Sequence, residues 1–360
     1  MMVDSKTTIP ATATITGHTR EHVRAAVEYG WDFLSASADA FPSASVAFDA
    51  EISDPVTVEE LPRRARTELG VDLGFAPADE GFTAMLALDN LPHPLPNRAL
   101  PMLPSLIRRV ESCRWISRYR FFPDVPQFAA DTDCTALAAL GLHRHHILRP
   151  SRLRSVALEL LRAGAPESAA RDGLRPGAVM VYWEDGAEGP AKPRGRKHDA
   201  VVSVNVLRAV HLADRHTDHA GNGVVGATFR YAEDHLRSGD YARGTRYYPS
   251  PVAFLHAAAK LCGVCRECGA RLGPALRNAC TSIPAPTNAL DLALFLIAAN
   301  SCGAPVDRDR HQAELIDLQR PDGSWPAHSY FRFGRVPIHF GSAHLTTVFA
   351  LRALEEPTGV

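Results

Sequence analysis

The chain has 360 residues, 46% of them hydrophobic and 22% charged, with 39 Lys+Arg against 40 Asp+Glu and a net charge of -1. This composition excludes a disordered chain and a strongly basic nucleic-acid binder. Four of the basic residues are Lys and the rest are Arg, a bias that reads as coding composition rather than function. Apolar periodicity is helical almost throughout. In chain order it predicts helices over 18–34, 58–69, 81–91, 99–112, 132–142, 151–163, 199–214, 225–237, 250–262, 264–280, 289–302, 308–319 and 342–354. Strand-like segments are few, the best being 179–183 and 329–333. Gly/Pro clusters mark the loops, and the basic loop 188–197 reads as the most mobile of them.

The helices are of two kinds. Stretches such as TALAALGL (135–142) and DLALFLIAA (291–299) are apolar on nearly every side. Those at 151–163 and 308–319 carry charged faces. Helices apolar all round belong inside and amphipathic ones cover them. About twelve helices of alternating burial predict two concentric rings, an all-α (α/α)6 barrel. No strict repeat favours an open solenoid, and no linker divides the chain, so one toroid domain spans 1–360, with 1–16 as an N-terminal tail. The first residues lack an apolar signal core, and no apolar run is long enough to span a bilayer. Seven Cys without a secretion signal predict reduced thiols and a cytoplasmic location. Cys262, Cys265 and Cys268 fall along one stripe of a mostly helical segment. They read as structural thiols, and no metal site is assigned.

Near the C-terminus LIDLQRPDGSW (315–325) ends a helix at Gln319, turns tightly at Pro321-Asp322-Gly323, and brings Trp325 back. This resembles the Q-x-x-D-G-S-W repeat of the squalene–hopene cyclase and prenyltransferase superfamily, whose members are α/α toroids. FGSAHLTTVFALRAL (340–354) resembles the helix that closes the ring in that family. Asp131-Thr132-Asp133-Cys134-Thr135 resembles the D-x-D-D and D-x-D-T-T acid motifs of class II terpene cyclases, and its D-C-T portion that of oxidosqualene cyclases. The resemblance implies Asp133 as the acid that protonates an alkene or epoxide, with Asp131, Cys134 and Thr135 in support. Chemistry agrees with that assignment. A carbon–carbon double bond is a poor base, and two carboxyls beside a dry helix favour holding a proton. Read without the resemblance, Asp131 or Asp133 is an ordinary helix cap.

A carbocation needs aromatic faces and a water-excluded pocket. Candidates for the walls are Trp115, Phe121, Phe122, Trp183, Tyr247, Tyr248 and Phe331, with Asn205 on an inner helix. Arg118, Arg120 and Arg246 are candidates for an anionic headgroup, because Arg suits phosphate. A diphosphate would bring Mg2+; otherwise no cofactor is expected. No Asp-Asp pair exists, which disfavours metal-dependent ionisation. His339 and His344 are weaker candidates for a terminating base. The expected partner is a small isoprenoid such as farnesyl diphosphate or a prenylated small molecule, with oligomeric state left open. A zinc prenyltransferase-like subunit and a non-catalytic toroid holding an apolar ligand are the alternatives.

Overall fold

The computed structural model describes residues 16–37, 44–92, 94–214 and 223–355. Of the expected tail, residues 1–15 lie outside the described residues, and Thr16 begins the first helix. Thirteen α-helices occur among them: α1 (Thr16–Ala36), α2 (Leu61–Leu69), α3 (Phe82–Asn90), α4 (Met102–Ser112), α5 (Thr132–Arg144), α6 (Pro150–Leu161), α7 (Ala200–Ala213), α8 (Gly223–Arg237), α9 (Pro251–Val264), α10 (Arg266–Ser282), α11 (Ala289–Cys302), α12 (Arg308–Asp317) and α13 (Ala343–Glu355). Each predicted helix has its counterpart.

Packing sorts these helices into two rings. Helices α3, α5, α7, α9, α11 and α13 touch in that order, and α13 returns to α3. The second ring, α4, α6, α8, α10, α12 and α1, packs outside them. Burial follows the sequence pattern. Every residue of α3 is buried, as is all of α11 from Ala289 to Ala299 except Asp291. On α6 only Leu153, Val156, Ala157 and Leu160 are buried, which is one helical stripe. This is the expected (α/α)6 barrel. Close approach of α3 and α5 depends on Gly141, where a Cβ would fall 2.7 Å from that of Leu88.

Ring closure falls to the turn after α12. Gln319 Nε2 donates to the carbonyls of Ala26 and Gly323, both at 2.9 Å. Trp325 is fully buried, and its indole N–H donates to Leu315 O at 2.7 Å. Gly323 has φ 86°, and a side chain there would strike the Tyr29 carbonyl, so only glycine suits the turn. Trp31 of α1 donates to Glu355 of α13, completing the seam.

Short strands sit at one end of the barrel. β1 (Ser45–Ala47), β4 (Ser329–Arg332) and β5 (His339–Gly341) form an antiparallel sheet in the order β1-β5-β4. β2 (Arg114–Trp115) and β3 (Arg118–Tyr119) form a two-stranded ribbon. The predicted strand over 329–333 is therefore present. That over 179–183 is not a strand. It makes one bridge, Val179 to Gly164, and Val181 O instead accepts from Thr132 N at the start of α5. Its backbone groups are used to position a helix end. No helix among the described residues is long and apolar enough to cross a membrane.

Candidate active site

The sequence around Asp131 builds a helix N-terminus. Asp131 is extended (φ -130°, ψ 161°), and its Oδ1 accepts from Cys134 N at 2.7 Å, the geometry of an N-cap. Tyr119 O receives the Asp131 N–H and fixes the cap against β3. Asp133, in the first turn, is buried and faces a cavity of about 320 Å³. Its Oδ1 accepts from Asn205 Nδ2 of α7 at 2.9 Å, and its Oδ2 accepts from the Tyr248 hydroxyl.

Burial drives the protonation of this pair. It pushes the Asp133 carboxyl up to about 8, reinforced by the charge of Asp131 and opposed by the hydrogen bonds from Tyr248 and Asn205. Asp131 is raised by burial to only about 6, because the cap hydrogen bond from Cys134 favours its carboxylate. The two environments thus favour a proton on Asp133 over one on Asp131.

The cavity walls are aromatic. Phe82, Phe121, Phe128, Tyr182, Tyr247, Tyr248, Phe331, Phe333 and Phe340 all line it. Phe331 and Phe340 pair across β4 and β5, and their rings stack with centroids 5.0 Å apart. Phe121 meets both edge-on. Five cations line the same cavity: Arg194, Lys197, Arg246, Arg332 and Arg335. None has a carboxylate partner among the described residues. The Arg194 guanidinium lies 4.4 Å from the Phe128 ring centroid. Burial, Arg194 and Arg246 hold the Lys197 ammonium below its usual range.

Of the residues expected to bind substrate, Phe121, Tyr247, Tyr248, Phe331 and Arg246 line the cavity. Asn205 does not, but its amide donates to Asp133. The others lie elsewhere. Arg118 is buried between Glu159 and Asp185, and Arg120 pairs with Glu188 at 3.1 Å, so both guanidinium groups are consumed by carboxylates. Trp115 and Trp183 stack on Arg118, with centroids 5.7 and 4.2 Å from it, outside the cavity. Phe122 packs behind the wall against Phe75 and Phe128. Cys134 lines the cavity. Thr135, expected to support the acid, instead accepts from Tyr119 N and donates to Asp131 O. His339 bonds Ser329, and His344 lies on α13 against Phe33 rather than among the lining residues. The basic loop 188–197 is pinned by buried Glu188, which accepts from Ala130 N, and by Lys192 on the Gly74 carbonyl.

Sequence reading passed over Phe82, Phe128, Phe340, Arg332 and Arg335. Phe331 and Phe333 flank Arg332 at alternate positions, a spacing that could have pointed to it. Phe82 and Phe128 carry no comparable local signal.

Comparison with known proteins places this geometry. Among solved structures, a protein from Actinoplanes superposes with TM-score 0.59 at 18% identity, covering 92% of this chain and 98% of that one. The type II terpene cyclase MstE from Scytonema, solved as a variant with geranylgeranyl dihydroxybenzoate, superposes with TM-score 0.58 at 13% identity, covering 94% and 98%. The fold is that of the class II terpene cyclases. The ent-copalyl diphosphate synthase from Streptomyces platensis matches with TM-score 0.52 at 15% identity over 76% of this chain and 50% of that one. In sequence, the chain is 28% identical over 264 residues to a drimenol cyclase of Aspergillus calidoustus, covering 70% of this chain and 43% of that protein. The chain thus spans less than half the length of that relative. No family profile matches it.

The zinc alternative needs Asp, Cys and His together. Among the described residues the one group of three metal-capable side chains is His211, Cys265 and Cys268, none of which lines the cavity.

Proposed function

We propose that the chain is a class II terpene cyclase that protonates a linear isoprenoid through Asp133. The observation that carries this reading is a buried carboxyl, pushed up to about 8 by burial, facing an aromatic cavity. A proton passes from Asp133 to a terminal double bond, and the new cation is drawn along the chain by successive alkene attack. The aromatic faces stabilise the moving charge and offer it no strong nucleophile. The carboxylate left behind keeps hydrogen bonds from Asn205 and Tyr248 and sits at the positive end of α5. Loss of a proton from the final cation ends the reaction.

The cations and the cavity size support a small substrate with an anionic head. A cavity of about 320 Å³ lies at the low end of ~300–1,000 Å³ small-molecule sites. This favours farnesyl diphosphate or a short prenylated acid over a thirty-carbon chain. Arg194, Lys197, Arg246, Arg332 and Arg335 suit the oxygens of a diphosphate or carboxylate. Asp131 and Asp133 are the only carboxyl side chains among the lining residues. The donor set thus fits the phosphate and not a protein-held Mg2+, and any Mg2+ would arrive with the substrate. MstE, solved with a prenylated benzoate, likewise takes an isoprenoid that carries an anionic head.

The test is incubation with prenyl diphosphates and prenylated acids from ten to thirty carbons, with products read by mass spectrometry. A cyclic product from the wild type that is absent with a folded Asp133→Asn variant supports the reading. A folded variant that still cyclises overturns it, as does a wild type inert on the whole panel.

A further inference from the structure

The cysteine triplet does not form the helical stripe its spacing suggests. The helix breaks at Cys265, which is extended (φ -121°, ψ 112°) and caps α10. The break separates the three thiols. Cys262 lines a cleft with Cys302. Cys265 and Cys268 instead meet His211, near the C-terminal end of α7, and the three donor atoms lie within 4.8 Å of one another.

One edge of this cluster has the length expected at a tetrahedral metal. Cys268 Sγ is 3.6 Å from His211 Nε2. Zinc bonds of about 2.3 Å to sulfur and about 2.1 Å to nitrogen set a tetrahedral S–N edge of about 3.6 Å. Cys265 Sγ also accepts the Cys268 backbone N–H at 3.3 Å. Cys268 is buried, and its side of the cluster opens on a cleft also lined by Glu267 and Arg271. Arg271 is engaged by Glu233, and the open cleft leaves a fourth position to water.

We propose that His211, Cys265 and Cys268 form a binding site for a zinc-class divalent metal, with Nε2 and two thiolates as protein ligands. Each thiol gives up its proton on binding, and the imidazole binds neutral. The site is structural. It ties the lower end of α7 to the joint between α9 and α10. Helix α7 carries Asn205 and Arg208, and α9 carries Lys260, so the metal braces the helices that lie beneath the acid.

The experiment uses the full chain, stripped with chelator under reducing conditions and titrated with Co2+. The expected result is one tetrahedral cobalt per chain, with intense visible d–d bands and a thiolate-to-cobalt charge-transfer band, both bleached by Zn2+. Cys268→Ser and His211→Ala should each abolish that spectrum, and Asp133→Asn should leave it intact. Weak octahedral cobalt only, or a tetrahedral spectrum that survives Cys268→Ser, overturns the proposal. If Cys268→Ser does not fold, Cys265→Ser applies the same criterion at a less buried position.

Discussion

Two buried aspartates inside the barrel have opposite fates. Asp133 stands at the cavity end of α5 and Asp89 near the far end of α3. Burial pushes both carboxyls up. At Asp89, Arg208 and Lys260 outweigh it and hold the group well below the usual carboxylate range. Arg208 grips Asp89 with two hydrogen bonds of 2.8 and 3.0 Å. At Asp133 the contacting donors are neutral, and the nearest charge is another carboxylate, so the proton stays. Asn205 separates the two environments. Its amide nitrogen donates to Asp133 while its oxygen accepts from Arg208 at 3.3 Å. A neutral amide thus interposes between the acid and a permanent cation that would otherwise strip its proton. Depth alone does not make an acid; the charge of its neighbours decides.

The sharpest break in this comparison is Asp133→Asn. Turnover should fall by ~10⁴-fold or more, the upper range for losing a general acid, while thermal unfolding shows the barrel intact. Next, Asp89→Asn leaves Arg208 and Lys260 buried without a carboxylate and should cost about 3–5 kcal/mol in urea denaturation. Turnover that disappears with no loss of stability would contradict the contrast. A third outcome concerns pH. The proposed mechanism uses protonated Asp133, so kcat should decline as pH rises through about 8. Stability follows the same sign, since deprotonating a carboxyl whose folded value is raised costs folding energy. Asp89 behaves oppositely: its contribution is present at neutral pH and is lost only in acid. The smallest effect is Tyr248→Phe. Removing a hydrogen bond that favours the carboxylate should move the alkaline limb upward by ~1 pH unit and slow the plateau by ~10-fold.

The helices were legible because their apolar periods reach over whole turns, and the capped aspartate pair because its motif, Asp131-Thr132-Asp133, is local. Its setting was not. Asn205 and Tyr248 lie 72 and 115 residues from Asp133, and no short-range pattern links them. The same distance problem misplaced Arg118 and Arg120, whose carboxylate partners are 41 to 68 residues away. Arg246 was legible beside its tyrosines because no acid competes for it. The break at Cys265 escaped because three cysteines at helical spacing look continuous until the backbone turns.

The seam between the first and last helices has a consequence for biogenesis. Gln319 reaches Ala26 across 293 residues, and Trp31 reaches Glu355 across 324. On a ribosome, α1 emerges long before either partner exists. The ring cannot shut until α13 has left the exit tunnel, and contacts this distant make a late, slow step. Until then the inner helices lack part of the packing that buries them, and with it the burial that pushes the Asp133 carboxyl up. The raised carboxyl is thus a property of the finished ring and not of the motif that encodes it.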